Sequence, residues 1–477
     1  MTTPPDPQVL LRSRSYLRLL ILAAVLGAPV SAAAYGFLQL VAYLQGEVFT
    51  HLPNGLGFHG APPWWPLPLL AVAGLLVAPV IRFLPGTGGH SHADGFKAGE
   101  GAPTAAQLPG VLLAALATLS LGVVLGPEAP LIALGGGLAV LAVRLAKRDM
   151  PAQAIAVVAA AGSFAAVSTL FGSPIAGAFL LMEASGLGGA MMGVVLVPGL
   201  LASGVGALIF VGLDSLTGFG TFSLSVPGLP HFARPDVAEF GWALAIGVAA
   251  AIVGTAIHRL GLLIRPHVER RILLLTPVVG LAIAGLAVAY HEGTGHSNSD
   301  VLFSGQSQLG PLITNAAGYS VGALLLLLVC KGLAYGASLS SFRGGPTFPA
   351  LYIGAAGGIA LSHLPGLPLE PGVAMGIGAM CVVMLRLPLT SVLLATLLLF
   401  SAGLAVMPLV IVAVVVAYVV SARLAPAPAP APAPTSATAA ARAVPPVPPQ
   451  ASAAEPATPP ARPAGSPDQG GQPKGRP

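Results

Sequence analysis

Residues 123–137 read VVLGPEAPLIALGGG. One acid, Glu128, stands between Pro127 and Pro130 in a stretch otherwise free of charge. Proline is favoured at the first position of a helix, where its missing N–H costs nothing. A preceding glycine, Gly126, lets the backbone turn sharply. The stretch therefore reads as a helix start carrying a carboxylate as its second residue. The rest of the chain decides where that start lies. Of 477 residues, 55% are hydrophobic and 8% charged, against about 25% charged in a soluble domain. So much apolar surface needs lipid as its solvent. Apolar runs recur at roughly 18–45, 65–84, 106–125, 131–145, 153–170, 174–187, 189–213, 239–257, 272–290, 319–336, 347–361, 372–385, 387–403 and 407–423. Several are shorter than the about 20 residues of a perpendicular span. Short segments broken by glycine and proline are typical of helices that stop inside the membrane.

The ends carry the positive charge. Arg12, Arg14 and Arg18 precede the first apolar run, which is too long for a cleaved signal peptide and reads as a retained span. Arg423, Arg442, Arg462, Lys474 and Arg476 outnumber Glu455 and Asp468 in the tail. Both termini are thus expected in the cytoplasm, with an even number of complete crossings. The net charge of +5 is a topology signal, and no nucleic-acid partner is needed to explain it. The organisation expected is a cytoplasmic segment 1–17, a membrane domain 18–423 and a disordered, Pro/Ala-rich cytoplasmic tail 424–477. Cys330 and Cys381 lie in apolar segments without metal-ligand neighbours and read as small buried hydrophobes. No cofactor or metal is expected.

The membrane domain repeats itself. GPEAPLIALGGGLA (126–139) and GPTFPALYIGAAGGIA (345–360) share Gly-Pro-x-x-Pro, an apolar run and a glycine cluster. A second proline motif follows each: SPIAGAFLLMEA (173–184), with Pro174 44 positions after Pro130, and LPLTSVLLATLL (387–398), with Pro388 39 positions after Pro349. Two halves, about 18–213 and 239–423, read as copies. Duplicated halves with helices broken in matching places belong to transport proteins, whose cargo site lies where the breaks meet.

A helix tip inside the membrane offers unpaired N–H groups and the positive end of the dipole, so it attracts an anion. Two converging tips hold one without a full positive charge that would bind it too firmly to release. Glu128 at such a tip occupies the anion's place: it competes when charged and steps aside when protonated or displaced. Ionisable groups within spans are functional candidates by default. The stretch LPGTGGHSH (84–92) adds a glycine-rich turn presenting the Thr87 hydroxyl.

With these pieces in order, the chain resembles the CLC family of chloride channels and chloride/proton antiporters over about 18–423. The family's GSGIP, G(K/R)EGP and GxFxP motifs are matched by GTGGH (86–90), GPEAP (126–130) and GPTFP (345–349), and KGLAYGASLSSF leads into the third, including Lys331. The resemblance implies an all-α polytopic membrane fold with inverted repeats of tilted and broken helices, a pore in each subunit and a homodimer. It implies that Glu128 is the gating glutamate, and that Thr87, flanked by Gly86 and Gly88, supplies the anion-coordinating hydroxyl. It further implies that the Thr347 backbone N–H points at the ion, and that Gly126, Ala129, Gly345 and Phe348 complete the helix starts. The departures are specific. Pro346 removes a coordinating N–H, Pro127 replaces a basic residue and His90 a proline. Ala184 occupies the inner proton site, with Glu183 beside it. The central tyrosine of the family's last helix has no counterpart; Tyr418 lies too early, and CBS domains are absent.

Lacking the inner carboxylate, the chain is expected to conduct anions passively, chloride first. Chloride/proton or fluoride/proton exchange, with Glu183 on the proton pathway, is the alternative, and a non-conducting scaffold of the same fold a further one. No paired acids or nucleophile–base set marks an enzyme. His90, His92 and Asp94, His51, His59 and the stretch 291–300 read as polar loops. Arg343 and Arg386 lie near the second-half motifs, as vestibule or membrane-edge cations. The glycine clusters at 135–137 and 354–358 read as close helix packing.

Overall fold

The structure is a computed structural model that describes residues 11–96, 101–146, 150–186, 190–218, 226 and 228–425. The tail from 426, with Arg442, Arg462, Lys474 and Arg476, and residues 1–10 lie outside the described residues. Among the described residues the regular elements are helical, apart from one isolated two-residue bridge. The protein is an all-α polytopic membrane protein. Nine of the described helices are long and apolar enough to cross a bilayer.

In chain order the helices are α1 (Arg14–Gly46), α2 (Pro66–Phe83), α3 (Leu108–Ser120), α4 (Glu128–Ala146) and α5 (Ala152–Phe171). Then come α6 (Pro174–Ala184), α7 (Ala190–Thr217), α8 (Val237–Arg270), α9 (Ile272–Thr294) and α10 (Gln306–Thr314). The last five are α11 (Val321–Ser341), α12 (Thr347–Ser362), α13 (Leu369–Leu385), α14 (Pro388–Leu398) and α15 (Met407–Leu424). The apolar runs foretell all of these except α10, a short helix too polar to register. The run at 239–257 continues to Arg270 as α8, and the run at 387–403 stops at Leu398, where two short 3-10 turns around Gly403 (φ 96°) intervene.

The repeat is visible in the backbone. α4–α5–α6 corresponds to α12–α13–α14. Both α5 and α13 end on a left-handed residue, Gly172 (φ 59°) and Arg386 (φ 60°), and the next helix then opens on a proline. The glycine clusters pack helices closely, as expected. A Cβ on Gly135 would strike the backbone of Gly162 on α5, and one on Gly354 or Gly358 the backbone of Gly376 or Gly372 on α13. Small residues let backbones approach where lipid gives no hydrophobic drive to associate.

The helix starts differ from expectation by one residue. Pro127 and Pro346 sit just outside their helices: the Pro127 carbonyl accepts from Leu131 N–H (3.0 Å), and Pro346 is the N-cap of α12. Glu128 is therefore the first helical residue, not the second. The cause is the preceding glycines. Gly126 N–H donates to Gly345 O (2.7 Å), and Gly345 N–H to Gly126 O (2.6 Å), an antiparallel bridge that keeps both loops extended up to the prolines.

Candidate functional site

That bridge joins the two halves back to back, with both helix tips beside it. Glu128 is fully buried. Its Oε1 accepts from the Thr347 N–H, the first free donor of α12. The N–H groups of Phe348 and of Glu128 itself lie beside the same carboxylate. A Cβ on either Gly126 or Gly345 would run into it, so only glycine leaves room there. Glu128 Oε2 and Thr347 Oγ1 are buried with no hydrogen-bond partner. The Phe348 ring lies 5.8 Å from that of Phe171, tilted by 34°, and packs the first turn of α12 against α5.

The glycine-rich turn after α2 is held by the second half. Gly86, Thr87 and Gly88 all have positive φ (81°, 50° and 67°). Arg343 Nε donates to the carbonyls of Thr87 (3.2 Å) and Gly89 (3.0 Å), and Ser91 Oγ to Leu339 O (3.1 Å). The turn borders a cavity of about 720 Å³ lined by Gly86, Thr87, Gly88, Ala129, Ser163 and Arg343, among others. The cavity reaches Gly344 and Ala129, the immediate neighbours of Gly345 and Glu128. Of the residues singled out from sequence, Gly126, Glu128, Gly345, Thr347 and Phe348 thus meet directly. Gly86, Thr87, Gly88 and Ala129 share the adjoining cavity. His92 is buried in the wall of that cavity. Burial, then Arg343 and His90, pushes its imidazole down to about 4. Arg343 lines the cavity and pins the turn. Arg386 is exposed at the α13–α14 corner.

Glu183 lies elsewhere. Its Oε1 accepts from Leu389 N–H (2.9 Å), and its Oε2 from Thr390 N–H (2.8 Å) and Thr390 Oγ1 (2.7 Å). It caps the N-terminus of α14.

Two groups escaped the sequence reading. Tyr335, fully buried on α11, donates its hydroxyl to the Pro346 carbonyl at 2.7 Å. The stretch 291–300 is no simple polar loop, since Asp300 is buried and accepts from Tyr290 (3.3 Å) and Tyr319 (3.1 Å). Burial pushes the Asp300 carboxyl above the usual range. The carbonyls of Asp300, Val301 and Leu302 receive the Lys331 ammonium at 2.8, 3.1 and 3.1 Å, and that ammonium also lies 4.4 Å over the Tyr352 ring. A lone lysine inside a span was the available signal.

Residues 69–422 match the family model described as voltage gated chloride channel. The chain belongs to that family. It is therefore a multi-pass member of an ion-transport family, its matched region spanning α2 to α15. A protein of Escherichia coli O1:K1, named "Putative ion-transport protein YfeO", is 29% identical over 379 residues, 79% of this chain and 86% of that relative. Its namesake in Shigella boydii serotype 4 is 28% identical over the same coverage. The fold is also that of a slow cyanobacterial Cl⁻/H⁺ antiporter (TM-score 0.69, 19% identity, 86% of this chain and 96% of that one). A CLC-type fluoride/proton antiporter shares it as well (TM-score 0.61, 20% identity, 85% and 95%).

Proposed function

We propose that this CLC protein is a passive anion channel, with chloride as cargo and Glu128 as its gate. The observation that carries the reading is the buried Glu128 carboxylate on the Thr347 N–H, across the seam of the two halves. The N–H is what an anion would use, and the carboxylate takes its place. Anions enter from the cavity beside Thr87, where Arg343 raises their local concentration, and displace Glu128 to pass. The subunit pairs as a homodimer, with both termini in the cytoplasm, and performs no enzymatic chemistry.

Passive conduction is favoured over proton exchange because both oxygens of Glu183 are occupied by the tip of α14, and Ala184 offers no carboxylate. The exchange reading draws on the fold neighbours, which are named as Cl⁻/H⁺ and fluoride/proton antiporters. Anion efflux from liposomes holding the purified chain, with pH followed in parallel, separates the two. Chloride is expected to leave without stoichiometric proton entry, and Glu128→Gln to flatten the pH dependence. A fixed chloride-to-proton ratio would make the protein an antiporter. No flux of any small anion would make it a scaffold.

A further inference from the structure

We propose that Tyr335 is a positioning residue for the anion site: its hydroxyl orients and polarises the peptide group that binds either Glu128 or the anion. The inference rests on the gate reading above and assigns a control to it.

The argument is one of connectivity. The Pro346 carbonyl and the Thr347 N–H belong to a single peptide group, which is planar and trans, so they point in opposite directions. Tyr335 donates to the carbonyl end at 2.7 Å. The amide end donates to Glu128 Oε1. The chain of contacts is therefore Tyr335 O–H to the 346 carbonyl, through the peptide, and 347 N–H to the carboxylate. A bond at one end of an amide strengthens donation from the other. It also fixes rotation of that peptide plane about its flanking bonds. Pro346 has no N–H of its own, so the Thr347 amide is the first that the α12 tip presents to the carboxylate.

Tyr335 is rigidly placed for this task. It is fully buried, and one turn earlier on α11 Lys331 is anchored by the carbonyls of 300–302. The titratable groups acting on the Tyr335 hydroxyl are Glu128 from α4 and Cys381 from α13. His92, in the turn packed against the same helix, faces Arg343, His90 and Gly344 instead. A tyrosine retained for packing alone needs some partner for its hydroxyl. A partner on this particular peptide gives it leverage on the site.

The test is chloride efflux against pH for the full chain in liposomes. The wild type, Tyr335→Phe, Glu128→Gln and a chain with a fluorinated tyrosine at 335 are compared, with thermal unfolding in detergent alongside. Without the hydroxyl, the amide holds the carboxylate less firmly, and protons displace it at lower concentration. Tyr335→Phe is expected to move the pH of half-maximal efflux upward by roughly half a unit, about threefold in proton concentration. Fluorotyrosine, a stronger donor, is expected to move it downward. A purely structural tyrosine would lower the unfolding temperature and leave the midpoint in place. A folded Tyr335→Phe with an unmoved midpoint overturns the inference, as do shifts of the same sign in both variants. If Tyr335→Phe does not fold, the sign of the fluorotyrosine shift decides alone: downward supports the inference, upward or absent overturns it. If Glu128→Gln keeps the wild-type pH profile, the gate reading fails; if it flattens that profile while Tyr335 has no influence, only the present inference does.

Discussion

Two carboxylates of the first half end on helix tips of the second. Glu128 opens α4 and reaches the tip of α12; Glu183 closes α6 and reaches the tip of α14. The electrostatic attraction is the same in both places: free N–H groups and the positive end of a helix dipole. The outcome differs with whether both oxygens are satisfied and with access to water. Glu183 is half-buried, and both its oxygens are satisfied by three donors. Glu128 is fully buried, with the Thr347 amide on Oε1 and Oε2 left without a partner. A carboxylate saturated by a helix tip is a fixed cap. One with an oxygen left unpartnered, next to a cavity wide enough for an anion, is suited to exchange. On the gate reading proposed above, the same device in duplicate copies yields a structural clamp and a movable competitor.

Removing the two acids gives the widest separation. A hydrogen bond to a charged group is worth about 1.5–3 kcal/mol, and each 1.4 kcal/mol is tenfold in an equilibrium. Glu128→Ala is therefore expected to raise chloride efflux at neutral pH by roughly 10–100-fold over the wild type, and to erase its pH dependence. Gly345→Ala follows, since its Cβ would occupy the space of the Glu128 carboxylate. It should imitate the loss of Glu128 with a smaller, several-fold gain, because the acid is displaced and not deleted. Chloride flux indistinguishable from wild type in Gly345→Ala would mean that the carboxylate does not rest there in the membrane. Glu183→Ala should leave the pH profile of efflux intact and lower stability by about 1–2 kcal/mol, the ordinary cost of a lost helix cap, read by thermal unfolding in detergent. If Glu183→Ala instead changes proton movement as strongly as Glu128→Ala changes chloride flux, the contrast collapses and Glu183 returns to the proton pathway.

How much of this contrast could be read from residues alone depends on the range of the interaction. Gly-Pro-Glu and Gly-Pro-Thr declare helix starts locally, because proline and glycine restrict their own backbone, and duplication doubles the signal. Apolar run lengths gave the helices for the same local reason, while α10 (Gln306–Thr314) lacked the composition to register. The bridge between Gly126 and Gly345 lies beyond such reading, since nothing in either loop names a partner 219 positions away. It moved both helix starts by one residue. The cap made by Glu183 and the bond from Tyr335 to Pro346 are hard to read for a related reason: two of the three donors to Glu183 and the acceptor for Tyr335 are backbone groups, which leave no mark in a sequence. Lys331 stood out as a charge inside a span, yet its partners are the carbonyls of a turn at 300–302 that composition shows only as polar.

The smallest effect belongs to a third titratable group, and it guards the comparison against a false attribution. His92 lines the cavity beside Arg343, and its imidazole titrates at about 4 in the folded protein against 6.5 in an unfolded chain. A lowered value means that the unfolded chain takes up the proton first. Stability contributed by the neutral ring is complete above pH 6.5 and is lost as pH falls from there towards 4. Between pH 7 and 6 the loss is under about 1 kcal/mol, so His92→Asn should slightly flatten the decline of unfolding temperature over that range and leave chloride efflux at pH 7 unchanged. The transport assay then asks a sharper question. If the proton response of efflux survives in Glu128→Ala and disappears only in Glu128→Ala with His92→Asn, protonation beside Arg343 governs anion entry, and the carboxylate at the α12 tip is a competitor without being the proton sensor. If Glu128→Ala alone abolishes the response, His92 contributes to acid stability and not to gating.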